Sequence, residues 1–72
     1  MLQNKFIKVL TEQMEYKEVP SNSKKYRKME KDGHVLWIGK KGAIRSGNTI
    51  SESRPIPQFV YNKIKSHAEK GA

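Results

Sequence analysis

The eleven residues Trp37-Ile38-Gly39-Lys40-Lys41-Gly42-Ala43-Ile44-Arg45-Ser46-Gly47 constrain this chain most. Three glycines divide them, and glycine lets a backbone turn tightly or approach a ligand closely. The apolar Trp37-Ile38 pair ahead of Gly39 and the Ala43-Ile44-Arg45-Ser46 run behind Gly42 read as two strands. Gly39-Lys40-Lys41-Gly42 is then the turn between them. Two lysines on a glycine turn, with an arginine following, also suit phosphate groups.

Strand signals continue upstream. Residues 25–30 read as a strand, Lys31-Asp32-Gly33 as a hairpin turn with Gly33 free to take a positive φ, and residues 34–38 as the next strand. That second strand is apolar on both faces at its centre, which predicts a place in the middle of a sheet. A third strand is expected over 43–46, with a continuation at 49–51 beyond Gly47-Asn48.

The two ends read differently. Leu2, Phe6, Leu10 and Met14 recur every four residues, which favours an amphipathic helix over 2–15, although the β-branched texture of residues 6–11 also fits a strand. Pro20-Ser21-Asn22-Ser23 reads as a turn or linker. Near the other end, Pro55 and Pro57 precede Phe59, Val60, Ile64, His67 and Ala68 at helical spacing. Lys63, Lys65, His67 and Lys70 then suit the negative end of the helix dipole, and Gly71 suits the residue after it.

The expected fold is α+β: a three-stranded antiparallel sheet flanked by an N-terminal and a C-terminal helix. Residues 1–72 form a single small domain, made of an N-terminal helical segment over 1–20, a basic sheet over 24–52 and a C-terminal helix over 57–70. The C-terminal helix is expected to cover one sheet face, and the other is covered by the N-terminal helix or left open. A core drawn from Leu2, Phe6, Val9, Leu10, Met14, Val35, Leu36, Trp37, Ile38, Ile44, Ile50, Phe59, Val60 and Ile64 is thin, and a homodimer would thicken it.

The 72 residues include no cysteine, so neither a disulfide nor a cysteine-based metal site is available. No apolar run approaches the ~18 residues of a membrane span, and no signal-peptide pattern opens the chain. A soluble protein of the cytoplasm is the expectation.

The formal charge is +8, and its placement says more than its size. Residues 1–22 carry three lysines and three glutamates, whereas residues 23–54 carry nine cations against three anions. The positive field is centred where the glycines lie and favours association with polyanions. Solvated lysines that merely maintain solubility are the plainer explanation.

Individual candidates follow. Lys24, Lys25, Arg27 and Lys28 surround Tyr26, and a basic strand with an interleaved aromatic can lie along a phosphate backbone. An edge strand blunted by lysines has the same composition. Lys40 and Lys41 are candidates for phosphate contact at the hairpin tip. Arg45 is a candidate for a groove, with Arg54 beyond it, because arginine on a strand face can reach guanine edges. Trp37 is expected in the core rather than as a stacking platform. His34 and His67 are isolated, no nucleophile or paired acid emerges, and Ser46, Ser51 and Ser53 have no histidine at a motif spacing. No catalytic residue, metal site or cofactor is expected.

Gly39-Lys40-Lys41-Gly42 resembles the GXXG loop of KH domains, but that loop joins two helices and here the flank at 35–38 is strand-like. The Tyr26-Arg27-Lys28 start, the Trp37-to-Gly47 centre and the Ser51-Glu52-Ser53 ending together resemble small proteins of tailed bacteriophages and prophages. This resemblance covers about residues 23–54 and implies a phage setting in a bacterial host cytoplasm, without an assigned activity. Three strands followed by a helix is also similar to the arm-type DNA-binding domain of some phage integrases. The leading expectation is a non-catalytic nucleic-acid-binding protein, double-stranded DNA favoured. The alternative is a host-takeover or immunity-evasion protein that binds and inhibits a host protein.

Overall fold

The computed structural model describes residues 2–70. Its elements run α1 (Leu2–Glu12), β1 (Lys17–Val19), β2 (Tyr26–Lys31), β3 (His34–Gly39), β4 (Ile44–Ser46), β5 (Arg54–Pro55) and α2 (Gln58–Lys70). The α+β class and both helices match the sequence reading. The side chain of Leu2, expected in the core, and Gly71, expected as a helix cap, lie outside the described residues.

The sheet has five strands, not three, in the order β1-β2-β3-β4-β5, and every neighbouring pair is antiparallel. The two extra strands are the edges. β1 has three residues and β5 two, one of them Pro55. Neither is long enough to display alternation, and proline is tolerated at a sheet edge because it has no N–H to donate. The expected continuation over 49–51 is turn instead of strand.

β3 lies at the centre, as its two-faced apolarity demands. The β2–β3 hairpin closes on a two-residue turn, with Asp32 at φ 48° and Gly33 at φ 83°. Two positive φ values match the right-handed twist of the strands, and an Asp-Gly pair supplies them at low cost. The β3–β4 hairpin uses a three-residue loop. The Gly39 N–H donates to the Ala43 carbonyl at 2.7 Å, and Gly42, at φ 92°, donates back to the Gly39 carbonyl at 3.1 Å.

Helix α1 stops earlier than its apolar spacing suggests. Glu15 takes φ 60°, and the Tyr16 N–H returns to the Leu10 carbonyl at 2.9 Å, which reverses the chain into β1. Helix α2 begins where the Pro57 carbonyl accepts from Val60 and Tyr61. Of the two alternatives for the second sheet face, the one without a covering helix holds among the described residues, and the helix packed directly on the sheet is chiefly α1. α1 packs on β1 and β3 and α2 packs on α1, so both helices lie on one side of the sheet.

Their shared core contains Phe6, Leu10, Met29, Ile38 and Ile64, all fully buried. The Phe6 and Tyr61 rings meet edge to face, 5.8 Å apart at 82°. Met29, Leu36, Ile38 and Ile44 supply the sheet's side of this core. Phe59, expected in the core, is instead 75% exposed, because α2 turns Ile64 and Ala68 inward. Among the described residues, no helix covers the opposite face of the sheet.

Candidate functional site

Residues paired across neighbouring antiparallel strands project to the same face. The register therefore sorts the sheet's cations. Lys28 pairs with Trp37, and Trp37 pairs with Arg45, on the face away from the helices. Tyr26, two residues before Lys28, lies on that same open face. Arg27 pairs with Ile38 and so falls on the helix face.

The start of β2 and the β3–β4 turn come together at one end of the sheet. Tyr26 pairs with Gly39, and a Cβ placed on Gly39 would lie 3.2 Å from the Tyr26 ring. The absent side chain lets the ring settle against the turn. Lys25, Lys40 and Lys41 line the resulting hollow of about 400 Å³ with Tyr26. All three lysines, and Lys24 beside them, are exposed. Two basic segments separated in the sequence thus form one cluster on a fixed turn.

Further along the open face, the Lys28 Nζ sits 5.6 Å from the centre of the Trp37 ring. Trp37 is 6% exposed but stands outside the helix-side core, because residues 47–53 wrap over it. Its indole N–H donates to the Gly47 carbonyl at 2.9 Å. The Arg45 guanidinium donates to the Ser53 hydroxyl at 2.8 Å and to the Ser53 carbonyl at 2.7 Å. The Ser53 hydroxyl in turn donates to the Ile50 carbonyl at 2.7 Å. Gly47 crosses this loop so closely that a Cβ would come within 2.7 Å of the Ser53 Cα. Trp37, Arg45, Gly47 and Ser53 form one closed structural unit.

That loop and the β1–β2 connection rise on either side of an open cleft of about 620 Å³. Lys28 and Trp37 form its floor, Pro20 and Ile50 stand on opposite walls, and Ser21 and Thr49 are among its polar lining.

The candidates therefore divide. Lys24, Lys25, Tyr26, Lys40 and Lys41 gather at the basic end, and Lys28 faces the cleft. Arg45 faces the open side, but two of its donors are committed to Ser53. The Arg27 Nε donates to Glu18 at 2.6 Å and its Nη1 to the Asn4 amide oxygen at 2.9 Å, with a second guanidinium bond closing the pair to Glu18. The bonded Glu18 carboxylate raises the Arg27 pKa further above its ordinary value. Arg54 is exposed on β5, with β3 and β4 between it and β2.

Sequence reasoning missed the loop residues. Ser53 is 4% exposed, a buried polar group just beyond the expected strand continuation at 49–51. The available signal was the arginine upstream of a Ser-Glu-Ser ending, since a buried hydroxyl needs a partner. Among the described residues, no group of three or more histidine or acidic side chains could hold a metal ion. No helix there is long and apolar enough to cross a membrane. No protein-family model, curated protein or solved structure matches the chain.

Proposed function

We propose that this protein binds nucleic acid without catalysis, double-stranded DNA favoured, through the basic end of its sheet. The observation that carries the reading is the Tyr26–Gly39 pairing, which brings Lys25, with Lys24 next to it in the chain, to Lys40 and Lys41. Phosphate groups recur at fixed intervals along a duplex, and cations held on a strand start and a closed turn can meet several of them together. Tyr26 adds an aromatic face within the same cluster. The resemblance to small phage proteins suits such a partner and a bacterial cytoplasm.

This reading is narrower than the charge pattern alone. Arg27 is occupied by Glu18 and Asn4, and Arg45 holds the loop at Ser53. Neither is assigned a nucleic-acid contact, and Arg54 is left out by its position.

The test is fluorescence anisotropy with labelled duplex DNA of mixed sequence, titrated with salt. Neutralising one phosphate for each of the four lysines gives a log–log slope of about −3.6, or roughly a hundredfold loss between 50 and 200 mM salt. Binding that ignores salt overturns the proposal. Absence of binding at low salt, with a host protein captured from nuclease-treated lysate, assigns the basic end to a protein partner instead.

A further inference from the structure

The cleft over Lys28 and Trp37 is separate from the lysine cluster and has its own chemistry. Its polar lining can donate hydrogen bonds. The Ser21 hydroxyl accepts from the Ser23 N–H at 3.1 Å, the Ser23 hydroxyl from the Tyr26 N–H at 3.1 Å, and the Thr49 hydroxyl from the Glu52 N–H at 3.2 Å. Each hydroxyl oxygen has accepted a bond within the chain, and each keeps its own proton to donate. The Lys28 ammonium adds a full positive charge, and no carboxylate lines the cleft.

Beside the Asn22 and Asn48 amides, the rest of the lining is apolar and suits a flat group. Trp37 lies at the floor, with Pro20 and Ile50 on the walls. A ligand matched to this lining is planar and apolar on its faces, rich in acceptors at its edge, and negatively charged. An unpaired nucleotide has all three properties. Its base has two π-faces, its carbonyl and ring-nitrogen edges accept hydrogen bonds, and its phosphate carries the charge. The opening of about 620 Å³ leaves room for a base with its sugar.

Position supports the same occupant. Tyr26 and Lys28 project to one face two residues apart, a separation of about 7 Å along a strand. A nucleic-acid strand leaving the lysine cluster at Tyr26 therefore passes beside the cleft.

We infer that the cleft between residues 20–23 and 48–50 receives an unpaired nucleotide of a strand whose adjoining duplex is held by Lys24, Lys25, Lys40 and Lys41. The inference rests on the nucleic-acid reading and deepens it by naming the junction of paired and unpaired strands as the preferred form. Lys28 meets the phosphate, and the base lies between the two loops, over the small part of Trp37 that is exposed.

Trp37 is the sole tryptophan, so its emission reports on the cleft alone. The probes are a short blunt DNA duplex, the same duplex with a short oligothymidine overhang, and polyglutamate. The overhang duplex is expected to bind at least about fivefold tighter than the blunt one, the low end of what stacking one base contributes. It is also expected to shift Trp37 emission where the blunt duplex does not. Lys28→Gln, and separately Asn48→Ala on the exposed loop, should bring the ratio of the two affinities toward one. Equal affinities with unchanged Trp37 emission overturn the cleft inference and leave the duplex reading standing. Failure of both duplexes to bind removes the duplex reading and the inference with it. Polyglutamate shifting Trp37 emission as the overhang does would assign the cleft to an acidic peptide and overturn the nucleotide.

Discussion

Gly47 and Gly33 have opposite reasons for being glycine. Gly33 takes φ 83° at a hairpin tip, and a Cβ added there would have nothing within 4 Å, so its constraint is conformational. At Gly47 the constraint is space, since a Cβ would press on the Ser53 backbone, 2.7 Å from Cα and 3.0 Å from N. Backbone cannot swing aside as a flexible side chain can. Gly47→Ala is therefore expected to destabilise the protein by about 1–3 kcal/mol, the usual range for overpacking. Gly33→Ala should cost about 1 kcal/mol, through its left-handed conformation. Urea unfolding of both variants checks the order. Gly47→Ala should also loosen the loop and raise the solvent exposure of Trp37, visible as a red shift in emission. Gly33→Ala should leave that emission unchanged.

At the scale of elements, β1 is short and held from outside its own ladder. Arg27 on β2 bonds Glu18 on β1 and Asn4 on α1, so one guanidinium joins three elements. Its side chain and that of Glu18 are 40% and 39% exposed, which leaves the pair screened by solvent. Arg27→Gln is expected to cost no more than about 1 kcal/mol, less at high salt. Because Arg27 lies on the helix face, the same substitution should change DNA affinity by less than about twofold after correction for the removal of one charge. A large loss of affinity in a folded Arg27→Gln protein would return this residue to the interface.

Arg27 also illustrates what the sequence made legible. Alternation along residues 26–28 already implied opposite faces for Arg27 and Lys28, yet four neighbouring cations invite treatment as a single patch. Both hairpin turns were readable, because Asp32-Gly33 and the glycines at 39 and 42 supply the conformations that short loops require. β1 and β5 were not readable, since two or three residues carry no period and their pairing depends on neighbours. The meeting of Lys25 with Lys40 follows from register, which the hairpin geometry fixes only once the loop length is known. The buried Ser53 depends on the chain returning to Arg45 after eight residues, and the arginine upstream of Ser51-Glu52-Ser53 is its one trace in the sequence.

Over the whole molecule, the cations divide between two layers. Lys24, Lys25, Lys40 and Lys41 gather at one end of the sheet, while Lys63 and Lys65 lie exposed on α2 in the helical layer. A protein that attracts DNA through net charge alone would lose the same affinity from either pair. A protein that neutralises phosphates at a fixed cluster would not. Lys40→Gln with Lys41→Gln removes two charges from the turn without disturbing Gly39 or Gly42, which set its geometry. The salt slope should then fall in magnitude by about 1.8, one counterion-release increment of roughly 0.9 for each phosphate no longer neutralised. Lys63→Gln with Lys65→Gln changes the net charge identically and should leave the slope within about 0.5 of the parent, since an exposed charge beyond a Debye length of about 10 Å is largely screened at 0.1 M salt. Anisotropy titrations of the parent and both double variants over one salt range decide the matter. Equal slope changes in the two variants would mean that the charge acts as a diffuse field and that the clustered lysines hold no phosphate.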